Sequence, residues 1–148
     1  MNSLTRVKCG TDLEADIGQS DCVCACNPSL QDISTLQRLC EAYRKGLYVV
    51  WSMGVSAACM VWLGRYTYLT KEKLPKTVSV EYPEVGEVIA RLPFTIPSSP
   101  VYEPCVSAVM AGVVSQDVLK VITGHGEPIY NLFLYDYQSG NGNIRLLA

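Results

Sequence analysis

Apolar residues at Val106, Val109, Met110, Val113, Val114, Val118, Val121 and Ile122 follow the spacing of a helix with a wide buried stripe. Gly112, Gln116, Lys120 and Thr123 make the opposite face. Gly124, which adopts the left-handed conformation without strain, is the expected stop. The short aromatic run Asn131 to Tyr137 then predicts a strand. Ser139-Gly140-Asn141-Gly142 turns that strand into a hairpin with Asn143 to Leu147.

Upstream, Asp21 to Cys26 (DCVCAC) is a run of small apolar residues suited to a strand covered on both faces. Asn27-Pro28 stops it. Ser29 and Asp32 have capping-box spacing, and Ile33, Leu36, Cys40 and Tyr43 then repeat at helical intervals as far as Gly46, predicting a helix from Ser29 to Lys45. Leu47 to Met53 returns as a strand, and a helical crossover of this length makes the two strands parallel. After Gly54, Ala57 to Leu63 and then RYTYL read as further strands. Leu4 to Cys9 alternates weakly as a strand, and the polar, acidic Gly10 to Ser20 reads as a loop. Six of the eight prolines fall between Lys71 and Pro104, which predicts one strand near Thr77 to Tyr82 and otherwise an irregular connection over 71–104. The class is α/β, with parallel strands plus antiparallel hairpins.

A length of 148 residues suits one domain, spanning 1–148. A chain 49% hydrophobic and 18% charged is no disordered tail, and a net charge of -2 argues against a general nucleic-acid binder. The most apolar run, Leu47 to Leu63, is broken by Ser52, Gly54 and Ser56 and is too short for a membrane span. The opening residues carry no apolar signal core. Seven cysteines then read as reduced thiols acting as small hydrophobes in a nuclear or cytoplasmic protein.

Catalytic groups are scarce. Cys22, Cys24 and Cys26 alternate, so a strand presents all three on one face, where core packing is favoured over a metal or redox site. Cys40, Cys59 and Cys105 sit in apolar patterns with no base nearby in sequence. His125 follows a predicted helix end, where a cation suits the helix dipole. Gly124-His125-Gly126 and Gly140-Asn141-Gly142 lack the third glycine and the strand-to-helix context of a phosphate-binding loop. Gln116, Asp117 and Lys120 share a helix turn, and residue chemistry alone favours a solvated face over a polar site at a protein surface. No catalytic, cofactor or metal residue is assigned.

Those last residues also carry a resemblance. Ala111-Gly112, Gln116-Asp117, Lys120 and Thr123-Gly124, followed by Glu127-Pro128, Asn131 and Phe133 to Asp136, resemble the C-terminal signature of the ThiF-like adenylation domain of enzymes that activate ubiquitin-like modifiers. In that family a small pair precedes Gln-Glu and Lys-x-x-Thr-Gly, then Pro-x-x-Asn and an aromatic strand closed by Asp. Gly140-Asn141-Gly142 is similar in particular to the non-catalytic subunits of the SUMO-type branch. Asp21 to Cys26, the Ser29 helix, and Tyr48 through Gly54 to Leu63-Gly64 follow the family's strand, helix and strand pair, and Met1-Asn2-Ser3 resembles its Leu-Asn-Pro run.

The resemblance implies a Rossmann-like adenylation fold without its N-terminal nucleotide-binding half, because the family's Gly-rich loop lies before the Leu-Asn-Pro run. The family's acidic magnesium-binding position reads Asn27-Pro28-Ser29, and 71–104 is too short to hold a catalytic-cysteine domain. The implied role is a non-catalytic subunit that binds no cofactor alone and pairs with a catalytic subunit holding ATP and magnesium to activate a SUMO-like protein. Gln116 and Lys120 are the candidate partner contacts. Two alternatives are a fragment of an active ThiF-like enzyme whose N-terminal half lies upstream, and a Cys-rich metal or redox module.

Overall fold

The computed structural model describes residues 12–79 and 85–147; the expected Leu4 to Cys9 strand and residues 80–82 of the expected Thr77 to Tyr82 strand lie outside them. In chain order the elements are α1 (Leu13–Gln19), β1 (Cys22–Cys26), α2 (Leu30–Tyr43), β2 (Gly46–Met53), β3 (Ser56–Trp62), β4 (Arg65–Leu69), β5 (Pro75–Ser79), α3 (Val85–Ala90), α4 (Pro104–Thr123), β6 (Leu132–Asp136) and β7 (Asn141–Arg145).

Five strands form one sheet in the order β1-β2-β3-β6-β7, and β4 pairs with β5 in a second, two-stranded sheet. Among the described strand pairs only β1 and β2 run parallel, joined through α2 as the crossover length requires. The β2–β3, β3–β6 and β6–β7 pairs are antiparallel. The fold is therefore mixed α/β. Leu47 to Leu63, the most apolar run, becomes the β2–β3 hairpin, with Gly54 supplying the turn at φ +69.

The two central strands are buried on both faces, and their alternation divides the core. Leu47, Val49 and Trp51 of β2 with Ala58, Met60 and Trp62 of β3 pack against Ile17, Ile33, Leu36, Cys40 and Val88, contributed by α1, α2 and α3. Tyr48 and Val50 with Ala57, Cys59 and Val61 face Val106, Met110 and Val114 of α4. Each face thus has its own helical cover, as a sheet buried on both sides must.

Local differences from the sequence reading have physical causes. Gly10 to Ser20 contains α1 rather than only loop: the Asp12 side chain accepts from Ala15 N at 3.1 Å, and Ile17 is the one buried anchor. A single buried residue in seven leaves no periodic signal. The Ser29 capping box forms as expected, Asp32 N donating to Ser29 Oγ and Ser29 N to Asp32. That helix ends at Arg44 in the left-handed conformation (φ 54), two residues before Gly46, which instead opens β2. A Cβ at Gly46 would lie 3.0 Å from the Leu63 side chain, so close packing explains this glycine. Within 71–104 the chain forms α3 as well as β5. At the C-terminal hairpin, Asp136 pairs with Asn141, so Gly142 lies inside β7 rather than in the turn.

Candidate functional site

The long helix α4 ends as its sequence requires, with Gly124 at φ 67 in the left-handed region. Its buried residues are Val106, Met110, Val114 and Asp117, a narrower stripe than the sequence predicts, because Val109 and Ile122 lie on the side turned away from the sheet and are exposed. Asp117 is 1% exposed. Tyr48 of β2 donates its hydroxyl to Asp117 Oδ2 at 2.9 Å, and Ile129 N donates to Oδ1 at 2.8 Å. Lys120 Nζ lies 3.7 Å from the same Oδ1 and donates to the Glu127 carbonyl at 3.2 Å. Burial raises the Asp117 pKa above the ordinary carboxylate value, although the bonds from Ile129 and Tyr48 oppose the shift. Burial also raises the Tyr48 hydroxyl, with the Asp117 charge adding to it.

The signature residues therefore form a locking device. Tyr66 donates to the Lys120 and Val121 carbonyls at 3.1 Å, satisfying the end of α4. Asn131 is 2% exposed, and its side chain clamps Leu147 through Nδ2 to the Leu147 carbonyl at 3.0 Å and Leu147 N to Oδ1 at 2.8 Å. The backbone around His125 pairs with β4: Leu69 N donates to the Gly124 carbonyl at 2.8 Å and Gly126 N to the Leu69 carbonyl at 3.0 Å. Of the candidate contact residues, Gln116 is exposed, whereas Lys120 is half-buried and reaches inward to Asp117 and Glu127.

The outer face of α4 was not singled out in the sequence. Cys105, Ala108, Gly112, Ser115, Leu119 and Ile122 succeed one another at alternating steps of three and four residues, all of them exposed. Leu119 is 60% and Ile122 53% exposed. An 18-residue window of this helix has mean hydropathy 1.6 yet is only 22% buried. A helix apolar nearly all round is normally covered on every side, and that composition was the signal available in the sequence. Pro104–Thr123 is also long and apolar enough to cross a membrane. Asp117 and Lys120 near its end, and the sheet contacts of Val106, Met110 and Val114, instead make it a core helix with one open face.

The three thiols of β1 do share a face, but it is not packed core: Cys24 and Cys26 are exposed and Cys22 is half-buried. Val23 and Ala25 turn to the α2 side, and α4 packs over β3 and β2 rather than β1. Cys105, expected in an apolar environment, is exposed as well, while Cys40 and Cys59 are buried. Although Cys24 keeps an exposed surface, partial desolvation by the surrounding chain, with Cys26 beside it, pushes its thiol up to about 11, so it stays protonated at neutral pH and is a poor nucleophile. Among the described residues no group of three His, Cys, Asp or Glu is placed to hold a metal. At Asn27, where the resemblance places a magnesium-binding carboxylate, the side-chain Oδ1 accepts from Ser52 N at 2.8 Å. The next carboxylate, Asp32, is engaged by the Ser29 cap. Both side chains are thus engaged within the chain.

No known family's sequence profile matches the chain. A 45-residue stretch is 42% identical to SUMO-activating enzyme subunit 1B-1 of Arabidopsis thaliana, covering 30% of this chain and 14% of that protein. Subunit 1A of the same plant is 41% identical over 39 residues, 26% of this chain and 12% of that protein. The similarity is local and points to the E1-like enzymes. The crystal structure of PaaA superposes with a TM-score of 0.55 at 16% identity, covering 92% of this chain and 45% of PaaA. The two proteins share a fold. The chain spans less than half the length of PaaA and a far smaller share of the plant relatives.

Proposed function

We propose that this chain is a non-catalytic adenylation-fold subunit of a SUMO-type activating enzyme, pairing with a catalytic subunit that holds ATP and magnesium and supporting activation of a ubiquitin-like modifier in the nucleus or cytoplasm. The observation that carries the reading is the open apolar seam of α4. Cys105, Ala108, Gly112 and Ser115 are small enough for another helix to approach closely, and Leu119 and Ile122 supply apolar area. Gln116, exposed beside this seam, and the half-buried Lys120 are polar contacts at its border. The local similarity to SUMO-activating enzyme subunit 1 supports the choice of partner, and the committed Asn27 and Asp32 side chains support a role without nucleotide chemistry.

The test is reconstitution. Adenylation of a SUMO-like protein by the catalytic subunit of the source cell is measured with and without this chain, and with Leu119→Glu, a change at a 60% exposed position that leaves the core intact. The expected result is a stable heterodimer needed for activity and broken by the charge. A chain that stays monomeric beside that subunit, with activity unaffected, overturns the proposal. Calorimetry of the chain alone with magnesium and ATP is expected to give no micromolar binding, because no described loop gathers backbone N–H groups for phosphates.

A second reading is favoured by β1. Among the described residues it is the parallel edge of the sheet, and its cysteine face lacks a covering helix. A fragment of an active ThiF-like adenylating enzyme would pair this edge with the strand of an upstream nucleotide-binding half. An in-frame Gly-rich loop upstream of Met1, with ATP–pyrophosphate exchange by the extended protein, would favour that reading.

A further inference from the structure

A cavity of about 670 Å³ opens between the C-terminal half of α2, the start of β2 and the β3–β4 junction. Its volume lies in the range of small-ligand sites. Gln37 on its wall is 8% exposed. Gln37 Nε2 donates to Glu41 Oε1 at 3.0 Å, which fixes the amide orientation and leaves Gln37 Oε1 buried without a donor. A buried acceptor in that condition carries an unmet desolvation cost that a ligand N–H or O–H would relieve.

Arg44, Lys45 and Arg65 also line this cavity, with Glu41 the one carboxylate. None of the three cations enters a salt bridge among the described residues. Two of the last carbonyls of α2 do not compete with an anion for these cations, because Arg44 N and Lys45 N donate to the Glu41 and Cys40 carbonyls at 3.2 and 2.8 Å. Trp62 and Leu63 give the cavity an apolar wall.

We propose that this cavity binds a small organic anion, its carboxylate or phosphate held by Arg44, Lys45 and Arg65, its ring against Trp62 and Leu63, and an N–H group donating to Gln37 Oε1. Two probes separate the parts. Hippurate has a carboxylate, a ring and an amide N–H; phenyl phosphate has an anion and a ring but no N–H. In titrations of the full chain followed by amide NMR, both are expected to shift the Gln37 side-chain signals and the Gly64 and Arg65 backbone signals at millimolar concentration. The Arg44→Glu, Arg65→Glu double variant, changed only at exposed side chains, should weaken both by at least about tenfold. Gln37→Met, which keeps the volume but removes the acceptor, should weaken hippurate by about tenfold and leave phenyl phosphate unchanged. Failure of both probes to bind, binding indifferent to charge reversal, or equal loss of both probes in Gln37→Met overturns the proposal.

Discussion

Tyr48, in the middle of β2, donates its hydroxyl to Asp117, near the end of α4, over 2.9 Å. The two are 69 residues apart in sequence, and both are almost wholly buried. Asp117 also receives Ile129 N, so one carboxylate joins the central strand, the long helix and the chain leading into β6. Asp117→Ala leaves the Tyr48 hydroxyl and the Ile129 amide buried and unpaired, and is expected to destabilise the domain by about 3 kcal/mol. Tyr48→Phe, which removes one bond and leaves Asp117 with Ile129, should cost about 1 kcal/mol. Urea unfolding of the three proteins checks both figures.

The pH dependence of this group runs opposite to that of a carboxylate whose partners lower its pKa, because burial outweighs Ile129, Tyr48 and Lys120 here. Burial raises the folded pKa of Asp117 above its ordinary 3.8, so the folded state binds the proton more tightly than the unfolded chain does. Its contribution to stability is fully present below the unfolded value and is lost as pH rises through the raised folded value. Asp117→Asn cannot titrate. The stability of the native protein relative to Asp117→Asn should therefore rise as pH falls from neutral toward 4, measured by denaturant unfolding at matched ionic strength. A difference that is flat or falls with acid would mean that the hydrogen bonds from Ile129 and Tyr48 outweigh burial.

At the C-terminal hairpin, a Cβ on Gly142 would stand 2.7 Å from the Phe133 ring. Gly142→Ala must displace that ring, which is 9% exposed and faces the α4 side of the core, at a cost of roughly 1–3 kcal/mol. Combining it with Phe133→Leu should recover part of that loss. Strict additivity of the two changes in a double-mutant cycle would show that they do not meet.

The elements legible in the sequence are those whose signals are local. The Ser29–Asp32 cap, the Gly124 end of α4 and the apolar run that becomes β2 depend on residues a few positions apart, and each appears as expected. What was not legible depends on distance. Asp117 reads as one polar residue of a helix turn until folding brings Tyr48 to it. Nothing local in the sequence marks Gln37, whose place beside a cavity depends on β3 and β4. The DCVCAC strand has the composition of a core strand, yet burial of its cysteine face requires a helix that the described residues do not place there.

Gly124 tests the helix end in isolation from packing. A Cβ there meets nothing within 4 Å, so any cost of Gly124→Val comes from its left-handed backbone at φ 67. The expected loss is roughly 1–2 kcal/mol, with Gly124→Asn losing less because Asn tolerates that conformation. Equal thermal midpoints for the native protein and the valine variant would show that α4 does not end in this geometry in solution.

Gly112 separates the needs of the chain from those of its complex. It lies in the middle of α4, exposed, with open space where a Cβ would stand, so nothing in the described fold requires glycine there. Glycine inside a helix costs roughly 1 kcal/mol relative to alanine, and Gly112→Ala should stabilise the isolated chain by about that amount, raising its midpoint by roughly 4 °C. If the small residue exists to let a partner helix approach, the same change should weaken the heterodimer, and Gly112→Trp should abolish it while the isolated chain stays folded. Thermal melts of the free chain and affinity for the catalytic subunit provide the two readings. A heterodimer indifferent to Gly112→Trp would move the interface off this face of α4.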